Sequence, residues 1–150
     1  MSQSLAQILV HIIFSTKNRQ RFITPSIQPE VNAFISAEAR KNGSPAARVE
    51  SVEDHVHLIV SLSRTNTVSS LIEKLKTSSS RWLKTKGAEF SEFQWQRGYG
   101  AFSISKSALG ELYDYFDSQQ ERHRRKTFQE ELREFLDEYG VKYDERYVWD

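Results

Sequence analysis

The stretch Glu53-Asp54-His55-Val56-His57-Leu58-Ile59-Val60-Ser61-Leu62 decides how this chain is read. Side chains alternate across an extended strand, so His55 and His57 share one face while Val56, Leu58 and Val60 take the other. The apolar side asks for a core. The histidine side offers imidazole nitrogens to a common point. This strand is read over 55–62. A second strand over 47–53 precedes it after a tight junction at Asp54 and His55, which predicts a hairpin.

Working outward, residues 5–14 read as a buried strand that ends in the basic turn Thr16-Lys17-Asn18-Arg19-Gln20-Arg21. Pro25 and Pro29 flank a helix start, and Val31, Phe34, Ile35 and Ala39 keep helical spacing until Asn42-Gly43-Ser44-Pro45 breaks it. Thr67 or Ser69 caps the next helix. Val68, Leu71, Ile72, Leu75, Ser79, Trp82 and Leu83 line one of its faces, and Lys74, Lys76, Arg81, Lys84 and Lys86 occupy the rest. A loop with Phe90, Phe93 and Trp95 leads through Gly98 and Gly100, read as a bulge, into a short strand over 101–105. Ser107 is read as the cap of a helix reaching about His123. A last helix carrying Phe128, Leu132, Phe135, Leu136 and Tyr139 stops at Gly140. The aromatics of 141–150 are expected to dock that segment on the body. The order β-α-β-β-α-β followed by two helices predicts an α/β (α+β) fold: a ferredoxin-like split βαβ with a four-stranded antiparallel sheet and additional C-terminal helices.

At 150 residues the expectation is one domain spanning 1–150. The absence of cysteine excludes disulfides and thiolate metal sites and fits a cytoplasmic protein. No apolar run is long enough to span a bilayer, so no membrane association is expected. The net charge of +1 hides an uneven distribution. Residues 64–106 hold eight Lys or Arg against three Glu, whereas 128–150 hold eight acidic residues against three basic. The basic middle suits phosphate contacts, and the acidic end suits repelling phosphates or masking that surface.

Two histidines are too few to fix an ion and activate chemistry, and Gln119 is the candidate third ligand through its amide oxygen. Tyr115 lies four residues earlier, on the same face of the predicted helix, with His123 a further turn on. A phenol needs a nearby metal or base to become a nucleophile at neutral pH. Tyr113 is the rival, with Asp117 as its four-residue partner, and Asp54 and Asp117 are candidates to support the site from behind. This parts list suits cutting a nucleic-acid strand through a covalent phosphotyrosine. Clustered carboxylates of the two-metal nuclease kind are missing near the histidines.

The histidine pair around a hydrophobic residue resembles the HUH motif, and Tyr115-x-x-x-Gln119 resembles its partner in single-tyrosine HUH transposases. These are transposases of the smallest bacterial insertion sequences, the IS-two-hundred-like family, with relatives associated with repetitive extragenic palindromes. Phe14-Ser15-Thr16-Lys17-Asn18-Arg19, Asp54-His55-Val56-His57-Leu58, Trp95-Gln96-Arg97-Gly98-Tyr99-Gly100-Ala101-Phe102-Ser103 and Tyr143-Asp144-Glu145-Arg146-Tyr147-Val148-Trp149 resemble family segments in the same order.

The resemblance implies a transposase that cleaves and rejoins single-stranded DNA, often a hairpin at an element end. It implies one divalent metal ion, Mg2+ or Mn2+, held by His55, His57 and Gln119. Tyr115 is then the nucleophile, forming a 5′-phosphotyrosine and releasing a 3′-hydroxyl, in a homodimer. Lys17, Arg19, Arg21, Lys74, Lys76, Arg81 and Lys84 are the expected DNA-backbone contacts. The leading rival is a non-catalytic nucleic-acid-binding protein of the same fold. A hydrolytic phosphoesterase ranks third, because neither histidine begins a His-x-Ser/Thr motif.

Overall fold

The computed structural model describes residues 2–119, 121 and 126–150. Four strands, β1 (Leu9–Ser15), β2 (Ala46–Ser51), β3 (His55–Ser61) and β4 (Gly100–Ile104), form one sheet in the order β2-β3-β1-β4. Every neighbouring pair is antiparallel. Helices α1 (Gln28–Lys41) and α2 (Val68–Leu83) connect the strands, and α3 (Leu109–Asp117) and α4 (Phe128–Glu138) follow the last one. This is the ferredoxin-like arrangement that the element order predicts.

Strand alternation divides the molecule. Val10, Ile12 and Phe14 of β1 and Val56, Leu58 and Val60 of β3 pack with Val31, Ile35 and Ala39 of α1 and Leu71, Ile72 and Leu75 of α2. The opposite face carries His55 and His57, set across from Ser15 and Ile13, and here Ile13 and Phe102 meet Phe128, Leu132 and Leu136 of α4. The sheet is therefore buried on both sides, with the histidines beneath the C-terminal helices.

Several local expectations shift for identifiable reasons. β1 begins at Leu9 rather than near residue 5, because its partners end at Ser61 and Ile104, both opposite Leu9; Leu5 and Ile8 are exposed. Gly100 makes no bulge: β4 runs in unbroken register from Ile104 to Gly100, and the irregularity falls in β2 between Ala46 and Arg48. What Gly100 permits is close approach. A Cβ there would stand 2.8 Å from Leu132 Cδ1 and 2.9 Å from Ile13 Cγ2.

Thr67 rather than Ser69 caps α2, accepting from the Ser70 amide at 3.0 Å. Ser107 caps nothing, since it sits in a short 3-10 turn ahead of α3 and its hydroxyl pairs with that of Ser105. Helix α4 starts with a reciprocal capping box between Thr127 and Glu130. The 141–150 segment docks as expected, with Tyr143, Val148 and Trp149 packed against the α4 core and Arg133 bidentate to Glu145.

Candidate metal centre and active site

His55 and His57 are both fully buried. Each has one ring nitrogen tied to the fold and the other turned toward α4. On His55, Nδ1 lies 2.7 Å from Asp54 Oδ1, and Nε2 lies 2.8 Å from Glu131 Oε2 and 3.1 Å from Gln119 Nε2. On His57, Nδ1 lies 2.8 Å from His11 Nε2, and Nε2 stands 3.8 Å from Glu131 Oε1. The Tyr115 hydroxyl donates to that same Oε1. Both expected histidines, Tyr115 and Gln119 thus converge, all within one chain.

Glu131 is the member that sequence reasoning missed. It is 1% exposed, and ligand atoms of His55, His57 and Glu131 lie within 4.8 Å of one another. A signal was available. Glu131 falls three residues after Phe128 and four before Phe135, on the apolar stripe of α4, where an uncompensated carboxylate would be costly.

The local geometry has clear causes. Arg48 of β2 ion-pairs with Asp117 and reaches the Tyr113 carbonyl at 3.3 Å, anchoring the C-terminal end of α3 against the sheet. The Arg48 guanidinium lies over the Tyr113 ring, 5.6 Å from its centroid. Asp117, held by Arg48, does not join the site. Helix α3 ends at Asp117 with Ser118 as its cap, and Gln119, itself helical, stands just beyond that one-residue break. His123 lies outside the described residues.

Burial alone would depress His55, yet the carboxylates of Asp54 and Glu131 override it and hold the ring up at about 9. Burial dominates at His57 and lowers it despite Glu131. His11 falls well below the usual histidine range through burial and the neighbouring His57. Burial works to raise Glu131, but His55 and His57 hold it far below the ordinary carboxylate range.

The two contacts on His55 Nε2 ask for opposite protonation states. A carboxylate accepts only from a protonated nitrogen, and an amide NH2 donates only to a bare one. Turning the Gln119 amide by 180° puts Oε1 toward the ring and removes that conflict. Among the described residues His57 Nε2, Gln119 Oε1 and Glu131 Oε2 are buried without an aligned hydrogen bond. Two imidazole nitrogens with amide and carboxylate oxygens are a donor set suited to a divalent cation.

The basic residues separate into two places. Lys74 and Arg81 on α2 and Lys84 at its C-terminal cap are exposed, across the sheet from the histidines. Lys76 is half-buried and donates to the carbonyls of Gln96 and Gly98 at 2.9 and 2.7 Å. The loop bearing Lys17, Arg19 and Arg21 lies at the His55 end of the sheet, where the Thr16 amide donates to the Asp54 carbonyl. Asn18 and Arg19 both take left-handed backbone conformations there. Lys17, Gln94, Arg97 and Trp149 help line a cleft of about 500 Å3.

A four-stranded split βαβ sheet with a paired-histidine site beneath a tyrosine helix defines the class, and sequence comparison agrees. Residues 4–119 match the family described as IS200-like transposases, and the chain belongs to that family. Glu131 lies beyond the matched stretch. The ISDra2 transposase TnpA of Deinococcus radiodurans is 22% identical over 121 residues, covering 77% of this chain and 86% of that protein. A crystal structure of a Deinococcus radiodurans transposase superposes with a TM-score of 0.62 at 19% identity, covering 79% of this chain and 98% of the other. A REP-associated tyrosine transposase bound to a REP hairpin superposes with a TM-score of 0.59 at 15% identity, covering 82% and 74%. These two likenesses establish a shared fold. None of the described helices is long and apolar enough to cross a membrane.

Proposed function

We propose that this chain cleaves and rejoins single-stranded DNA, with Tyr115 as nucleophile. The observation that carries the reading is the convergence of Tyr115, His55, His57, Gln119 and Glu131 on one buried point. The Tyr115 hydroxyl is held by the Glu131 carboxylate; its oxygen attacks phosphorus and gives up its proton to solvent. A phenolic O–P bond forms, the P–O3′ bond breaks, and the 3′-oxygen takes a proton from solvent. The result is a 5′-phosphotyrosine and a free 3′-hydroxyl, and reversal joins strands without an external energy source.

His55 and His57, with oxygen from Gln119 and Glu131, would hold one divalent ion, Mg2+ or Mn2+, which would polarise the phosphodiester and offset its developing charge. Asp54 orients His55. Lys17, Arg19 and Arg21 lie at the same end of the sheet and would meet the backbone of the strand entering the site. Lys74, Arg81 and Lys84 would meet a more distant part of the DNA. Lys76 would act mainly by shaping the 96–98 loop.

Hairpin DNA is the proposed substrate, by likeness to the hairpin-bound relative. Work on cellular DNA implies a cytoplasmic location. The family resemblance implies a homodimer. The assembly of all five side chains within one chain supports attack by Tyr115 in cis.

The test mixes the purified chain with labelled single-stranded hairpins from the flanks of its own gene, with Mn2+ or Mg2+, on a denaturing gel. A metal-dependent covalent band lost in Tyr115→Phe and His57→Ala is expected. Binding without an adduct, across flanks that contain the element ends, would replace this reading with that of a non-catalytic binder.

A further inference from the structure

His11 has no part in the chemistry above, yet it touches the centre of it. It lies on β1, 2% exposed, with its ring nearly parallel to that of His57: an interplanar angle of 17° and centroids 5.1 Å apart. Phe135 stands edge-on to it at 4.9 Å, and Phe116 and Phe102 lie tilted against it at 5.6 and 6.2 Å. The aromatic rings close off its flanks, and its Nε2 meets His57 Nδ1 at 2.8 Å.

A neutral imidazole carries one N–H and one lone pair, and the partner of one nitrogen decides the state of the other. His57 Nε2 faces the site without a hydrogen bond among the described residues. For that nitrogen to offer a lone pair, Nδ1 must carry the hydrogen and need an acceptor. On this face of the sheet, 2.8 Å away, the acceptor is His11.

We infer that His11 is the positioning residue of His57: it accepts the Nδ1–H, fixes tautomer and ring plane, and so presents Nε2 to the metal. Asp54 does the same for His55 with a carboxylate. The two ligands therefore have different anchors, one anionic and one neutral, and the neutral one adds no charge to a centre that already holds Glu131. The inference rests on the metal reading of this site. A histidine that only filled space among aromatics would be replaceable by Phe at little cost.

The test uses the full chain, its His11→Phe variant, and His11→Gln, whose amide oxygen reaches the position of the lost acceptor. Long-range 1H–15N spectra without metal report the His57 tautomer, and Mn2+ titration followed by EPR reports affinity for the metal alone. The wild type should show His57 protonated at Nδ1. His11→Phe should move the proton toward Nε2 and weaken Mn2+ binding by about 10–100-fold. His11→Gln should restore both.

A wild-type His57 protonated at Nε2 would overturn the inference, as would a folded His11→Phe variant with unchanged tautomer and Mn2+ affinity. If His11→Phe does not fold, the wild-type tautomer and the His11→Gln variant still decide. A wild type that binds no Mn2+ overturns the metal reading itself, while a tautomer that follows position 11 still supports the hydrogen-bonding role.

Discussion

The Tyr115 hydroxyl donates to the carboxylate of Glu131, sixteen positions further along the chain, and the other oxygen of that carboxylate lies 2.8 Å from His55 Nε2. One acid thus joins the proposed nucleophile to a proposed ligand. It also fastens α4 over the histidines, because Glu131 belongs to that helix. Removing a single partner of a buried ion pair leaves the other charge uncompensated. Glu131→Ala should therefore destabilise the metal-free protein by on the order of 3 kcal/mol in urea unfolding. An unchanged midpoint would show that apolar packing alone holds α4.

Asp54 accepts from His55 Nδ1, which leaves Nε2 to face the site. Asp54→Asn keeps the shape and removes the charge. Mn2+ affinity, read by calorimetry, should fall about 10–100-fold with the fold intact. Equal affinities would deny Asp54 any role in orienting the ring.

Gly100 lets Leu132 of α4 pack closely on the sheet. In Gly100→Ala the new methyl would meet Leu132 and Ile13 inside 3 Å, and both are buried. Overpacking of this kind costs about 1–3 kcal/mol. The expected result is a lower urea midpoint, and a neutral substitution would mean that α4 shifts freely.

Thr127 and Glu130 cap α4 reciprocally. Thr127→Ala should cost about 1 kcal/mol. Thermal melts with and without Mn2+ check it, and since the cap lies outside the centre, the loss should be the same in both.

The basic residues should divide by environment. Lys76 donates to the Gln96 and Gly98 carbonyls, so Lys76→Met should lower stability. Exposed Lys17 should leave stability unchanged in Lys17→Ala while reducing the slope of log DNA affinity against log salt by about 1. Salt titrations of hairpin binding separate the two, and an unchanged slope in Lys17→Ala would place the DNA elsewhere.

The fold was legible where periodicity is strong. The alternation through Val56, Leu58 and Val60 carries the central strand, and the stripe from Val68 to Leu83 carries α2, because burial on one face forces those repeats. Boundaries were less legible. The start of β1 depends on where β3 and β4 end, and the cap expected at Ser107 was displaced by a 3-10 turn.

The sequence by itself determined the element order, the side of the sheet on which His55 and His57 stand, and the resemblance that singles out Tyr115 and Gln119. Those follow from local spacing. Only the tertiary structure brought in His11 from β1 and Glu131 from α4, pinned α3 through Arg48, and separated the α2 lysines from the centre by the thickness of the sheet. The physical reason is that a ligand set and its hydrogen-bonded anchors are defined by distances in space, between residues 46 and 64 positions apart, which no local pattern encodes.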